Sequence, residues 1–232
     1  GKSTVATEVG QVLGIVRIQS TDILREVMRM AMNERLAPVL HRSSFDAWRA
    51  LPIQDHEDRD PDQLVADGYR SQAELLAVAC EAVMQRAVEE SVPMILEGVH
   101  AYPELGERAP RQSGAIIVQV TLAVLRPKEL KARLRGRGVL VPQRRAKRYL
   151  AKFDSIWSLQ SFLMSEADRF DVSIIPNQDK DKAVLEVILQ VIQELSQNFD
   201  SEPESVFGEA AKDLLEQGPK TPWRDLVAGL AS

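Results

Sequence analysis

The stretch that decides the fold is the first, Gly1-Lys2-Ser3-Thr4-Val5-Ala6-Thr7-Glu8-Val9-Gly10-Gln11-Val12-Leu13-Gly14. Val5, Val9, Val12 and Leu13 recur at helical spacing, and Gly14 sits where a helix C-cap belongs. G-K-S at the mouth of a helix is the second half of a phosphate-binding loop, whose full pattern has a glycine and four further residues ahead of it. A helix N-terminus leaves backbone N–H groups unpaired and carries partial positive charge, so it draws phosphate oxygens. Lys2 adds a full charge, Thr4 completes the loop, and the Ser3 hydroxyl can ligate Mg²⁺. An ordinary amphipathic helix can begin the same way, so the tripeptide needs company. The chain starts inside a motif and without methionine; we read it as a fragment whose first strand and glycine-rich turn lie outside it.

The company follows. Ile15 to Gln19 is a short β-type run; Ser20-Thr21-Asp22 then opens a helix with Ile23, Val27 and Met30 on one side. In parallel sheets ligands collect beyond strand C-termini, where Asp22 would stand. Helix capping explains Asp22 equally well, but not Arg25 and Arg29 on the same helix face. A second apolar run, Pro93 to Gly98, ends in Glu97. A buried strand delivering a carboxylate at its C-terminal end is how a nucleotide-binding sheet reaches Mg²⁺, directly or through water.

Residues 33–60 show no clean period and are expected to form an irregular, mobile insertion. Within it His41-Arg42-Ser43-Ser44 offers donors to an anion or is a solvated loop, and His56 amid Asp55, Glu57 and Asp58 reads as solvated rather than metal-bound. Asp60-Pro61 is a good helix start, with Ser71 and Glu74 as an alternative capping box further on. Leu75, Ala79, Ala82, Val83 and Ala87 mark its buried face. Gly114 to Leu122 is the longest β-type run and is expected to be a central strand. Pro127 opens a helix over Lys128 to Leu134, running into Arg133-Leu134-Arg135-Gly136-Arg137-Gly138, which reads as a flexible cationic flap because two glycines weaken a helix. Arg144–Leu150 and Phe153–Leu163 look helical, Asp171–Asn177 is one more strand, and Asp181–Leu195 a last core helix.

Strands alternating with helices imply an α/β fold, a three-layer, mainly parallel sheet flanked by helices. Residues 1–197 make one domain with a lid at about 126–148; 198–232 is an acidic linker and helical tail to which we assign no chemistry. Cys80 is the only cysteine, which excludes a disulfide framework and points to a reducing, cytoplasmic setting. No apolar run approaches membrane-spanning length. The net charge of −5 hides an asymmetry, for ten Lys/Arg face one acid between Arg126 and Arg148. A small basic region on an acidic chain suits a phosphorylated small molecule better than a nucleic acid.

Gathered at one sheet edge, Lys2, Ser3, Asp22, Glu97 and the arginine flap are the parts of a phosphoryl-transfer site. The runs Gly1–Thr4, Ser20–Arg29, Ser43–Trp48, Gly68–Ala73 and Ile95–His100 resemble the 2-phosphoglycerate kinase family, P-loop kinases related to zeta toxins and small-metabolite kinases. The likeness extends to about Val191. The resemblance implies ATP and Mg²⁺ as cofactors and transfer of the γ-phosphoryl group to 2-phosphoglycerate. On that reading Gly1, Lys2, Ser3 and Thr4 hold the nucleotide, and Ser3 and Glu97 serve the metal. Asp22 orients or deprotonates the acceptor hydroxyl, Arg25, Arg29, Arg42 and Arg70 bind its anionic groups, and Arg133 and Arg137 close on the phosphates. His100 either touches substrate or is structural. Two alternatives remain open at this point: a kinase for another anionic acceptor, or a nucleotide-binding regulatory module without turnover.

Overall fold

Glu97 and Ser20 stand side by side at the ends of two parallel strands, and the rest of the fold is arranged around that pair. The computed structural model describes residues 1–52, 58–108, 114–140 and 143–198, with backbone only at 136–140 and 143–146. Strand β1 (Arg17–Ser20) pairs with β2 (Met94–Glu97) in the register Arg17 to Met94 and Ser20 to Glu97, and β3 (Val120–Ala123) pairs with β4 (Ser173–Pro176), again in parallel. Among the described residues the two pairs do not hydrogen-bond to each other.

They nevertheless feed one three-layer α/β domain. Successive strand residues point to opposite faces, and β2 shows the consequence. Ile95 packs with Val5 and Val9 of helix α1 (Lys2–Leu13) and Val184 and Ile188 of α7 (Lys180–Asn198), where Val120, Leu122 and Ile175 of the other pair also meet. Its neighbour Leu96 packs on the far side against Tyr69 and Ala73 of α3 (Pro61–Glu89) and Leu159 of α6 (Phe153–Arg169). Gly14 ends α1 in the left-handed region (φ 65°), and Asp60 caps α3 through the Asp62 N–H at 3.2 Å.

Several expectations are corrected. The run 114–122 gives a strand only from Val120, because the ladder reaches no further back than the Val120 to Ser173 register. Residues 33–52 are ordered, not loose: 3-10 helices Pro38–His41 and Ser44–Ala50 bury Val39, Leu40, Phe45 and Ala47. Gly68 permits this, since a Cβ there would lie 2.1 Å from the Trp48 backbone nitrogen. On α2 (Thr21–Ala31) the side facing the core is Leu24 and Met28, while Ile23, Val27 and Met30 are exposed. The flap is helical through both glycines: α4 spans Pro127–Leu140 and α5 Gln143–Leu150. Two glycines cost about 1 kcal/mol each in a helix, which flanking Leu, Lys, Arg and Ala offset. His56 and the tail beyond Asn198 lie outside the described residues.

Candidate active site

The opening of α1 and the end of β2 meet directly. Ser3 Oγ donates to Glu97 Oε1 at 2.9 Å. Gly98 follows with φ 145°, and a Cβ there would fall 1.8 Å from Thr21 Oγ1. That close approach draws the loop after β2 onto the first residue of α2, and His100 N–H donates to the same Thr21 oxygen at 3.4 Å. Asp22, next in the chain, is exposed at the α2 N-terminus and makes no hydrogen bond or ion pair among the described residues. Parallel register therefore brings Asp22 and Glu97 to one sheet edge, where Glu97 meets the α1 N-terminus.

The cations on α2 are held by an acid that sequence reasoning passed over. Glu26 accepts from Arg25 at 3.1 Å and from Arg29 at 3.0 and 2.7 Å, and the Arg29 hydrogen bond, then the charges of both arginines, keeps its carboxyl below the usual range. An acid lying between two arginines one helix turn apart was the available signal. Arg25 Nη1 also donates to the Arg42 carbonyl at 2.7 Å, and the Arg42 guanidinium is 3.9 Å from Glu34. Arg25, Arg29 and Arg42 thus share one neighbourhood. Arg70 does not join them: it is 3.5 Å from Asp67 and 3.6 Å from Glu166 and lies 4.5 Å over the Phe162 ring, so it ties α3 to α6.

His100 is 1% exposed. It stacks on Tyr69, centroids 5.9 Å apart, and its Nε2 lies 2.8 Å from Gln72 Oε1. Burial, then the charges of Arg25 and Lys2, push its pKa down to about 3. The ring is neutral. Gln72 and Thr21, both wholly buried, complete this polar cluster and were not foreseen from sequence.

On α4, Arg133 Nη2 donates to the Gln178 carbonyl at 2.9 Å. Its neighbour Asn177 covers the α1 opening, for a Cβ on Gly1 would meet Asn177 Nδ2 at 2.7 Å. The segment after β4 thereby links Arg133 of α4 to the N-terminal end of α1. The Arg137 side chain lies outside the described residues.

The donor set at the α1–β2 junction, a hydroxyl and a carboxylate, is all oxygen and suits Mg²⁺. No group of three or more His, Cys, Asp or Glu among the described residues could hold a metal unaided. An ion here would take its remaining ligands from water and nucleotide phosphates, as Mg²⁺ ordinarily does.

A parallel strand ending in a carboxylate bonded to the serine of a G-K-S-T helix opening defines an α/β domain of the P-loop kinase class. The chain is 34% identical over 197 residues to the 2-phosphoglycerate kinase of Methanopyrus kandleri, covering 84% of this chain and 58% of that protein. It is 31% identical to the enzyme of that name from Pyrococcus horikoshii (83% and 61%) and 32% to that from Thermococcus kodakarensis (85% and 64%). The chain is thus similar to 2-phosphoglycerate kinases over most of its own length and spans 58–64% of the length of these relatives. No family model matches it, and no solved structure does. No helix among the described residues is long and apolar enough to cross a membrane.

Proposed function

We propose that the protein is an ATP-dependent kinase that transfers the γ-phosphoryl group to the free hydroxyl of 2-phosphoglycerate, giving 2,3-bisphosphoglycerate and ADP. The observation that carries this reading is the 2.9 Å bond between Ser3 and Glu97, with Asp22 and the α2 arginines at the same sheet edge. An acceptor with a carboxylate and a phosphate needs several cations, and a guanidinium meets either group bidentately. Arg25, Arg29 and Arg42 fill that role; Arg70 is assigned to the α3–α6 contact.

In the reaction a bond forms between the acceptor oxygen and the γ-phosphorus while the bond from phosphorus to the bridging oxygen breaks. Asp22, at the acceptor side and free of competing ion pairs among the described residues, takes the hydroxyl proton. Lys2 and the backbone N–H groups opening α1 hold the departing phosphate oxygens. Mg²⁺, held by Ser3 and Glu97 directly or through water, would neutralise charge on the β- and γ-phosphates. Arg133 and Arg137 on the lid add positive charge there, and closing over the nucleotide excludes water. His100, neutral and buried, shapes the acceptor wall and carries no proton in the reaction.

The test is ADP release by the protein with ATP and Mg²⁺, in the presence and absence of 2-phosphoglycerate. Acceptor-dependent release supports the assignment. Faster turnover with neutral polyols than with phosphorylated acids, or ATP binding with no acceptor-dependent release, removes it.

A further inference from the structure

Gln72 stands where three segments of the acceptor side converge, and it is wholly buried. Its Nε2 donates to the Val39 carbonyl and, at 3.0 Å, to the Arg42 carbonyl. Both amide protons are thereby used, so Oε1 must be the acceptor, and His100 Nε2–H fills it at 2.8 Å. The Arg42 carbonyl accepts a second bond, from Arg25 Nη1 at 2.7 Å. One amide on α3 therefore fastens the turn carrying Arg42, the loop after β2 and, through a shared carbonyl, the guanidinium of Arg25.

The core does not need an amide at this point. Leu76, one turn on along α3, is equally buried and purely apolar. A buried amide costs stability unless every bond is made, and when every bond is made it specifies one geometry. The geometry specified here belongs to Arg25, to Arg42 and, by way of His100, to Thr21, which leads into Asp22. Ser3 and Glu97, at the nucleotide end, bond to each other instead.

We propose that Gln72 is a positioning residue of the acceptor site: by fixing the Arg42 turn and the carbonyl that anchors Arg25, it sets affinity for the phosphorylated acid without setting affinity for the nucleotide. The inference rests on the acceptor assignment made above. It concerns binding geometry, so it is read by binding and not by turnover alone.

The experiment compares the unsubstituted protein with Gln72→Glu, which keeps the shape but cannot donate, and Gln72→Met, which keeps the length without polar atoms. Titration calorimetry with 2-phosphoglycerate, and separately with ATP and Mg²⁺, reads the two ends, and thermal melting shows that each variant is folded. Both variants should lose about tenfold or more in 2-phosphoglycerate affinity, the scale of a lost charge-assisted hydrogen bond. ATP affinity should stay within about twofold. Equal weakening of both ligands, or unchanged 2-phosphoglycerate affinity in a folded variant, overturns the inference. ADP release judges the kinase reading separately. Gln72-dependent binding without turnover keeps the positioning role and defeats the kinase assignment, whereas a protein that does not bind 2-phosphoglycerate defeats both.

Discussion

Ser3 Oγ donates to Glu97 Oε1 at 2.9 Å across 94 residues of chain, joining the start of α1 to the end of β2. The bond means that the G-K-S-T helix opening and the strand-borne acid are already in contact. Glu97→Gln keeps the size of the side chain and removes its charge. We expect kcat to fall by about 10²–10³-fold, as for loss of one electrostatic contact to the transition state, with metal-free nucleotide affinity little changed. ADP release measured against Mg²⁺ concentration checks this; a full rate for Glu97→Gln would make the contact merely structural.

Asp22 makes no hydrogen bond or ion pair among the described residues, while Glu26 on the same helix is occupied by Arg25 and Arg29. The two carboxylates should therefore separate in kinetics. Asp22→Asn is expected to lower kcat by about 10²–10⁴-fold, the range of a lost general base, with little change in the KM for 2-phosphoglycerate. Glu26→Gln releases the arginines and is expected to act chiefly on that KM. Steady-state kinetics with 2-phosphoglycerate varied at saturating ATP distinguishes them, and equal behaviour of the two variants would refute the division of roles.

The strand-borne and helix-borne acids were legible from sequence because each ends a short apolar run or opens a helix, positions that a parallel sheet places at one edge. Helix α1, its glycine cap and α3 were legible for the same local reasons. The insertion was not. Its 3-10 helices bury Leu40, Phe45 and Ala47 through contacts with α3, and such contacts leave no period in the segment itself. The 114–119 run misled because β-branched composition is shared by strands and by extended chain without a ladder partner. The contacts of Arg70 with Glu166 and Phe162 on α6 were not legible either, since an arginine that bridges two helices looks the same in sequence as one that meets a ligand. Gln72 lies in one of the runs that carry the resemblance, but its hydrogen bonds were not legible, since they go to carbonyls of another segment.

The buried histidine makes stability depend on pH. His100 is pushed down to about 3 from 6.5, mainly by burial and then by Arg25 and Lys2. In the unfolded chain the ring takes up its proton near its ordinary value, while the folded protein takes it up only near the lowered one. Between those values the unfolded state holds more protons. The contribution is therefore complete above about pH 6.5 and is lost as pH falls toward about 3, at up to about 1.4 kcal/mol per pH unit. His100→Gln should flatten that slope. Urea denaturation midpoints of the two proteins between about pH 7.5 and 5 decide the matter, and parallel curves would contradict the assignment.

Gly68 gives a prediction whose sign is unusual. Within a 29-residue helix, replacing glycine by alanine ordinarily stabilises by about 1 kcal/mol. Here the added Cβ would lie 2.1 Å from the Trp48 nitrogen, 2.4 Å from its Cα and 2.8 Å from the Ala47 carbonyl carbon. All are backbone atoms, so no side-chain rotation relieves the clash; either the 3-10 helix Ser44–Ala50 or α3 must move. Gly68→Ala should therefore destabilise by about 1–3 kcal/mol, the usual cost of overpacking, in spite of the better helix former. Displacing that 3-10 helix also disturbs Ser44, which is 3.4 Å from His100 Nε2, and the turn bearing Arg42 just before it. Denaturant midpoints and 2-phosphoglycerate titration should both worsen, with ATP affinity largely retained. A more stable Gly68→Ala protein would show that α3 and the insertion do not pack backbone to backbone.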